Sequence, residues 1–205
     1  LRMHVGRELI VFNGEGGEYN AVITDITKKH VAVDVNEFSD DDRESPLQLH
    51  LAIGVSRGER FEWVLQKATE LGVTDITPLI TERTEVKMNG DRGDKQYERW
   101  QNIIISACEQ CQRNRLPTLH APTSLQHLCE TTDADLKYVL HHRDSQTLPT
   151  NATPQSVLLL IGPEGGLSEQ EIALARSHHF SPLTLGPRVL RTETAPIASI
   201  SLVQY

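Results

Sequence analysis

The stretch Ser156 to Ala195, SVLLLIGPEGGLSEQEIALARSHHFSPLTLGPRVLRTETA, constrains the fold more than any other part of this chain. Val157 to Ile161 is an unbroken apolar run that stops at Gly162-Pro163. Such a run without alternation predicts a strand covered on both faces, as in a parallel sheet. Gly165 and Gly166 then permit positive φ and close approach of a ligand to the backbone, while Pro163 fixes its own φ and restricts Gly162. Ser168 is a good helix N-cap, Glu171 completes a capping box, and Leu167 and Ile172 stand where a hydrophobic staple would. Strand, glycine loop and helix N-terminus therefore follow in order. That order presents free backbone N–H groups at the carboxyl end of a parallel strand, where open α/β sheets bind ligands. One such loop is equally compatible with a tight turn that binds nothing. A second loop shifts the balance: a short strand at Leu183 to Leu185 leads through Gly186-Pro187 into the polar cluster Arg188, Arg191, Thr192, Glu193 and Thr194, which no core requires.

The rest of the C-terminal part repeats the βα pattern. Leu47, Leu49, Leu51, Ile53 and Val55 alternate as a strand, and Phe61, Val64, Leu65, Ala68 and Leu71 fall at helical spacing before Gly72, a good C′ residue. Asp75 to Ile80 and Leu136 to His141 read as further strands. Trp100, Ile103, Ile104, Ala107, Cys108 and Cys111 mark one face of a longer helix ending before Pro117. Strands alternating with helices predict a mostly parallel sheet with helices on both faces. The N-terminal part differs. Glu8 to Phe12, Glu18 to Thr24 and His30 to Glu37 are short runs rich in β-branched residues, separated by glycine-rich and polar turns, and predict a small meander or part of a barrel. The cluster Asn13 to Gly17 reads as a hairpin turn and not as a dinucleotide fingerprint, because a strand and no helix follows it. The acidic run Asp40-Asp41-Asp42 reads as a solvated linker, and the style changes there, which divides the chain into domains at 1–45 and 46–205.

At 205 residues the chain can bury a sizeable core. It has no apolar run of about 20 residues, as a membrane span needs, and its three cysteines suit a reducing compartment, so a soluble cytoplasmic protein with no membrane association is expected. The opening Leu1-Arg2-Met3 and the end at Tyr205 inside the helical pattern of Ile197, Ile200 and Val203 lead to the expectation of a chain cut at both ends. A net charge of -8 argues against coating nucleic acid by bulk charge, but leaves room for local basic patches. Cys108 and Cys111 have CxxC spacing without a second pair, and the His141-His142 and His178-His179 pairs diverge in a strand, so no metal site is expected. The absence of GxSxG, Walker A and HExxH patterns removes the commonest hydrolase, nucleotidase and protease readings.

IGPEGGLSEQEI followed by LGPRVLRTETA resembles the SPOUT class of S-adenosylmethionine (SAM) dependent RNA methyltransferases, and within it the family that methylates N3 of a uridine in 16S ribosomal RNA. VSRGERFEWVLQKATELGV at 55–73, the triplet Glu82-Arg83-Thr84 and RWQNIIISACEQCQRNRLP at 99–117 extend the likeness over nearly the whole chain. The resemblance implies an α/β domain with a trefoil knot, preceded by a small PUA-like β-barrel that helps to hold RNA. It also implies a homodimer acting on 16S ribosomal RNA of the small ribosomal subunit. SAM would be cradled by backbone and walls from Leu140, His142, Ile161, Gly162, Pro163, Glu164, Gly165, Gly166, Leu185, Gly186, Val189, Leu190, Thr194 and Ala195. Methylation at N3 requires loss of a proton and stabilisation of the charge left on the base, for which Arg191 is the first choice and Arg188 the second. Glu193 or Glu164 would take the proton or fix the arginine. Arg2, Arg7, Arg57, Arg83, Arg113 and Arg115 are candidates for holding RNA. Pro196 departs from the family pattern and is expected to shift the start of the last helix. Two alternatives remain open on the residues: a SPOUT enzyme acting on a ribose hydroxyl of tRNA or rRNA, and an RNA-binding protein without catalysis.

Overall fold

The computed structural model describes residues 3–88, 90–140 and 153–204. It divides into two compact units, one formed by Leu1–Glu44 with Cys108–Leu116, the other by Ser45–Ala107 with Pro117–Tyr205. No helix among the described residues is long and apolar enough to cross a membrane.

The first unit is built on β1 (Glu8–Val11), β2 (Glu18–Ile26) and β3 (Val31–Ser39), an antiparallel meander in chain order. The glycine cluster makes the expected hairpin turn between β1 and β2, with Gly14, Gly16 and Gly17 all at positive φ. Ala21 and Ile23 of β2 are buried, and Tyr19 packs on Phe38 with ring centroids 5.0 Å apart. The presence of Cys108–Leu116 in this unit is explained by its polar groups. Gly16 donates to the Asn114 carbonyl and Leu116 to the Gly14 carbonyl, at 3.1 and 3.0 Å. Arg43 forks onto Glu18 at 2.8 and 3.3 Å, and this guanidinium holds the Glu18 carboxyl below the usual range. Asn114 donates to the Asp41 carbonyl, and Asp41 and Asp42 lie 3.8 and 3.9 Å from Arg43 and Arg115. The acidic run keeps its side chains exposed, as read, while the Asp41 carbonyl ties its backbone to this unit.

The second unit holds β4 (Gln48–Gly54), α1 (Glu59–Glu70), β5 (Asp75–Ile80), α2 (Gly90–Cys111), β6 (Thr118–Leu119), β7 (Thr123–Ser124), α3 (Leu125–Thr131), β8 (Leu136–Leu140), β9 (Ser156–Ile161), α4 (Glu169–Ser177), β10 (Ser181–Leu183) and α5 (Thr194–Gln204). The last turn of α2 belongs to the first unit. Among the described residues the sheet has seven strands in the order β10-β8-β9-β4-β5-β6, with β7 also on β5, and its pairings are parallel. β4 and β9 lie at its centre. Val157–Ile161 of β9 is buried on both faces, which is why that run lacks a polar side, whereas β4 carries Gln48 and His50 opposite Leu49, Leu51 and Ile53 before Ala52 and Gly54 bury that face too. Leu49, Leu51, Ile53 and Leu159 pack with Phe61, Leu65, Trp100 and Ile200 from α1, α2 and α5 on one face. Ala52, Leu158 and Leu160 pack with Leu125, Leu128, Ile172 and Ala175 from α3 and α4 on the other. Helices cover both faces, as expected.

Several local expectations shift. The last strand lies at Ser181–Leu183, two residues earlier than predicted, and among the described residues it pairs with β8 from Ser181 on Tyr138 to Leu183 on Leu140. α2 starts well before the apolar pattern at Trp100, and α3, β6 and β7 were not anticipated, being too short to show a period. Pro196 sits in the first turn of α5, which starts at Thr194, where its missing N–H costs nothing. Cys108 is fully buried, and burial pushes its thiol up to about 11, the state of a packing residue.

Candidate active site

Winding reverses beside β4: the chain runs from β4 outward through β5 and β6, then returns to place β9 between β4 and β8. Loops that follow neighbouring strands on opposite sides of such a reversal splay apart and leave a crevice at the carboxyl ends. A cavity of about 250 Å³ lies there. Leu140 ends β8, Ile161 ends β9, and Leu183 ends β10, and all three line it.

The wall after β9 is Gly162 to Gly166. Gly166 donates to the Pro163 carbonyl at 2.8 Å with φ +68, so the turn needs glycine there. A Cβ on Gly162 would stand 2.8 Å from backbone atoms of Gly166 and Leu167, and one on Gly54 would stand 2.5 Å from the Pro163 nitrogen. The loop is thus closely packed on its own chain and on the end of β4. Three polar ties hold it. Arg57 N–H donates to Glu164 Oε1 at 3.0 Å, Arg83 Nη1 donates to the Gly165 carbonyl at 2.7 Å, and Arg60 lies 3.5 Å from Glu164. The capping box of α4 is complete: Ser168 N–H donates to Glu171 and Glu171 N–H to Ser168. The other Glu171 oxygen accepts from Glu82 N–H at 2.9 Å, so one carboxylate joins the helix start to the Glu82-Arg83-Thr84 turn.

The opposite wall is the loop after β10. Leu185, Gly186, Arg188, Val189, Leu190 and Ala195 line the cleft, and Gly186 has φ +87 with open space around it. Its apolar members offer a slot for a flat heterocycle, and the glycine backbone offers polar groups without side chains in the way, which fits a nucleoside-bearing ligand such as SAM. Thr192 of the polar cluster also lines it, as do Leu183 and Thr184, which the sequence did not mark as site residues. Thr194 opens α5 outside this lining. Arg191 is also outside it, with its side chain 81% exposed and 3.9 Å from Glu193. Its carbonyl accepts from the N–H groups of Thr194 and Ala195, which anchors the turn into α5.

The arginines proposed for RNA separate. Arg7 is exposed. Arg115 is exposed and donates to the Glu15 carbonyl at 2.7 Å, Arg57 pairs with Glu85 at 2.6 Å, and Arg83 is tied to the glycine loop. Arg113 is a correction. It is 5% exposed and its guanidinium is engaged by Glu44, with Nε 2.8 Å from Oε1, so it holds the first unit together and has no face for RNA. His142 and Arg2 lie outside the described residues.

A profile of the RNA methyltransferase domain family matches residues 43–204, and one described as an RNA methyltransferase PUA domain matches residues 1–36. The chain is 32% identical to the ribosomal RNA small subunit methyltransferase E of Bacillus subtilis, over 100% of this chain and 84% of that protein. It belongs to that methyltransferase family. Solved structures agree with the membership. The ribosomal RNA small subunit methyltransferase E of Neisseria gonorrhoeae, bound to S-adenosyl methionine, superposes with a TM-score of 0.92 at 35% identity, covering 99% of this chain and 84% of that one. A candidate methyltransferase of Legionella pneumophila, in complex with bound SAM, superposes with a TM-score of 0.94 at 48% identity over 99% of this chain and 84% of that one. The PUA domain of the family corresponds to the meander β1 to β3, and its methyltransferase domain to the parallel sheet and its helices.

Proposed function

We propose that this chain methylates N3 of a uridine in 16S ribosomal RNA of the small ribosomal subunit, with SAM as donor. The observation that carries the reading is the cleft between two glycine loops at the reversal of the sheet, with Arg188 on its wall. Leu140, Ile161, Leu185, Val189, Leu190 and Ala195 would hold the adenosine part, and backbone of Gly162 to Gly166 and Gly186 its polar edges. Bound there, SAM supplies an electrophilic methyl group on a sulfonium. The chain's own task is to orient the acceptor and stabilise charge. Uridine N3 carries a proton at neutral pH, and its removal leaves negative charge shared by N3 and the two carbonyl oxygens. Arg191, exposed and held by little besides Glu193, is assigned to that charge, with Arg188 as the second cation. Glu193 steadies Arg191 or receives the proton. Glu164 is the second carboxylate for that role, although its acceptor oxygen is already used by Arg57 N–H.

RNA is held by local contacts, since the chain is acidic as a whole. Arg7 and Arg115 serve the PUA domain, and Arg57 and Arg83 the rim of the methyltransferase domain. Recognition by shape and patches favours a small-subunit particle over a short oligonucleotide. The site of action is the cytoplasm, where the subunit is assembled, and the active form is a homodimer. Ile200 and Val203 pack into the chain's own core, so the dimer contact falls to exposed apolar residues such as Val189 and Leu202.

Incubation with labelled SAM and undermethylated small subunits, followed by mass mapping of the modified nucleoside, tests the reaction. Label at uridine N3 is expected; label on ribose, on tRNA or on protein overturns it. Light scattering should give a dimer mass at micromolar concentration.

A further inference from the structure

A second and larger cleft, of about 620 Å³, opens beside the one described. It lies past the carboxyl end of β4, between the start of α1, the segment Glu85 to Met88 and the middle of α2. The two clefts share a partition. Arg57 lines the second, Glu164 lines the first, and the Arg57 N–H bond to Glu164 joins them.

Two residues of its lining are buried with a polar atom unused. Ser56 is 4% exposed and Trp100 is 1% exposed, and neither Ser56 Oγ nor Trp100 Nε1 has a hydrogen-bond partner among the described residues. Trp100 is pinned by its ring on Phe61, at 4.5 Å between centroids, so its N–H cannot turn away to find water. Buried polar atoms are nearly always paired, so two unpaired ones in the lining of one cleft point to a ligand that supplies the acceptor. The indole nitrogen only donates, and the hydroxyl can donate as well, so the group that matches both is a carbonyl oxygen. The cations at the mouth are divided. Arg57 is neutralised by Glu85 and Arg99 by Glu62, at 2.6 and 2.7 Å, whereas Lys87 and Arg92 have no acidic partner among the described residues. They are suited to an anion outside the carbonyl. A base carbonyl joined to a phosphate is what one nucleotide of an unpaired RNA strand presents, and such splayed nucleotides are the usual target of sequence-reading RNA proteins.

We propose that this cleft takes one unpaired nucleotide of the RNA substrate, its base carbonyl inward on Ser56 Oγ and Trp100 Nε1 and its phosphate outward on Lys87 and Arg92. The proposal rests on the RNA-methyltransferase reading and assigns a substrate subsite distinct from the donor cleft. Both unused atoms are buried, so the base has to enter the cleft fully to reach them.

The test is binding of a labelled 16S ribosomal RNA fragment and of SAM to Ser56→Ala, Trp100→Phe and the pair Lys87→Ala with Arg92→Ala, with thermal melts alongside. Ser56→Ala and Trp100→Phe are expected to weaken RNA binding about tenfold each while SAM affinity stays unchanged. Ser56→Ala should melt no lower than the parent, because it removes an unpaired polar atom. The double cation variant should also lower the slope of log affinity against log salt, by about one to two. RNA affinity unchanged in Ser56→Ala and in a folded Trp100→Phe overturns the subsite, as does loss of SAM binding in parallel with RNA, which would mark a structural role. RNA binding is read without methyl transfer, so a parent protein that binds RNA but does not methylate uridine N3 defeats the function reading and leaves the subsite to be judged by its own variants.

Discussion

The backbone N–H of Arg57 points at Glu164 Oε1 from 3.0 Å, a bond between the loops that follow two neighbouring central strands, β4 and β9. Glu164 sits on the wall of the donor cleft, so its carboxylate sets the position of the GPEGG loop. Glu164→Ala is expected to lower SAM affinity about tenfold, equivalent to ~1.4 kcal/mol. Glu164→Gln keeps an acceptor for the N–H and should recover most of the loss. Titration calorimetry reads both; equal affinity in Glu164→Ala and the parent removes the tie from the account of binding.

Gly54 is the tightest point beneath the same loop, with its Cα turned toward the Pro163 ring and nitrogen. Gly54→Ala would force Pro163 outward, and overpacking of this kind costs about 1–3 kcal/mol. The melt should fall by several degrees and SAM affinity by more than tenfold. Gly186→Val differs in kind: space is open around it, but φ is +87, so strain in the second loop and not a clash is the cause of an expected loss of SAM affinity above tenfold in a protein that still folds. A Gly54→Ala protein with parental melt and affinity would show that the loop yields freely.

Arg191 and Arg188 divide by position, one exposed beyond the cleft and the other on its wall. Arg191→Ala is expected to lower kcat roughly a hundredfold with little change in SAM or RNA affinity, as loss of a partner to transition-state charge does. Arg188→Ala should cost less in kcat and more in SAM affinity. Single-turnover rates at saturating SAM separate the two, and a full rate in Arg191→Ala withdraws its role in the chemistry.

His50, near the start of β4, is held by a 2.8 Å hydrogen bond to Thr77 and lies against His120 at 5.4 Å between rings. Burial lowers its pKa to about 4; His120 lowers it as well, and Asp75 opposes the shift. The folded value lies below the ordinary 6.5, so the neutral ring is favoured in the native state. Its contribution is complete above pH about 6.5 and is lost as pH falls toward 4. The parent should lose stability across that window, and His50→Gln, which cannot take the proton, should lose less. Denaturant melts at pH 7, 5.5 and 4.5 compare them; identical pH profiles would clear His50 of any part.

Much of this architecture was legible because it rests on local chemistry. The capping box Ser168 to Glu171 formed as read, since its partners are three residues apart and need no tertiary help. The apolar run of β9 announced a strand covered on both faces, whereas the alternation in β4 did not show that its second face is buried as well. Glycines, Gly162, Gly165 and Gly166 in one and Gly186 in the other, marked both loops that form the cleft, because close backbone approach leaves few residues to choose from. Arg113 was misread for the opposite reason: its partner Glu44 is distant in sequence, and an arginine in a motif looks the same whether it faces solvent or a buried carboxylate.

The amino-acid order alone determined the parallel α/β class, the separate N-terminal strands and the positions of the two glycine loops, for these follow from periodicity and backbone freedom over a few residues. Only the tertiary structure decided that β9 inserts between β4 and β8, that the segment Cys108–Leu116 belongs with the N-terminal strands, and that Ser56 and Trp100 leave buried donors in one cleft. Each of these depends on groups far apart along the chain meeting in a packed interior, where the cost of an unpaired polar group or an empty volume is set by neighbours that no local pattern encodes.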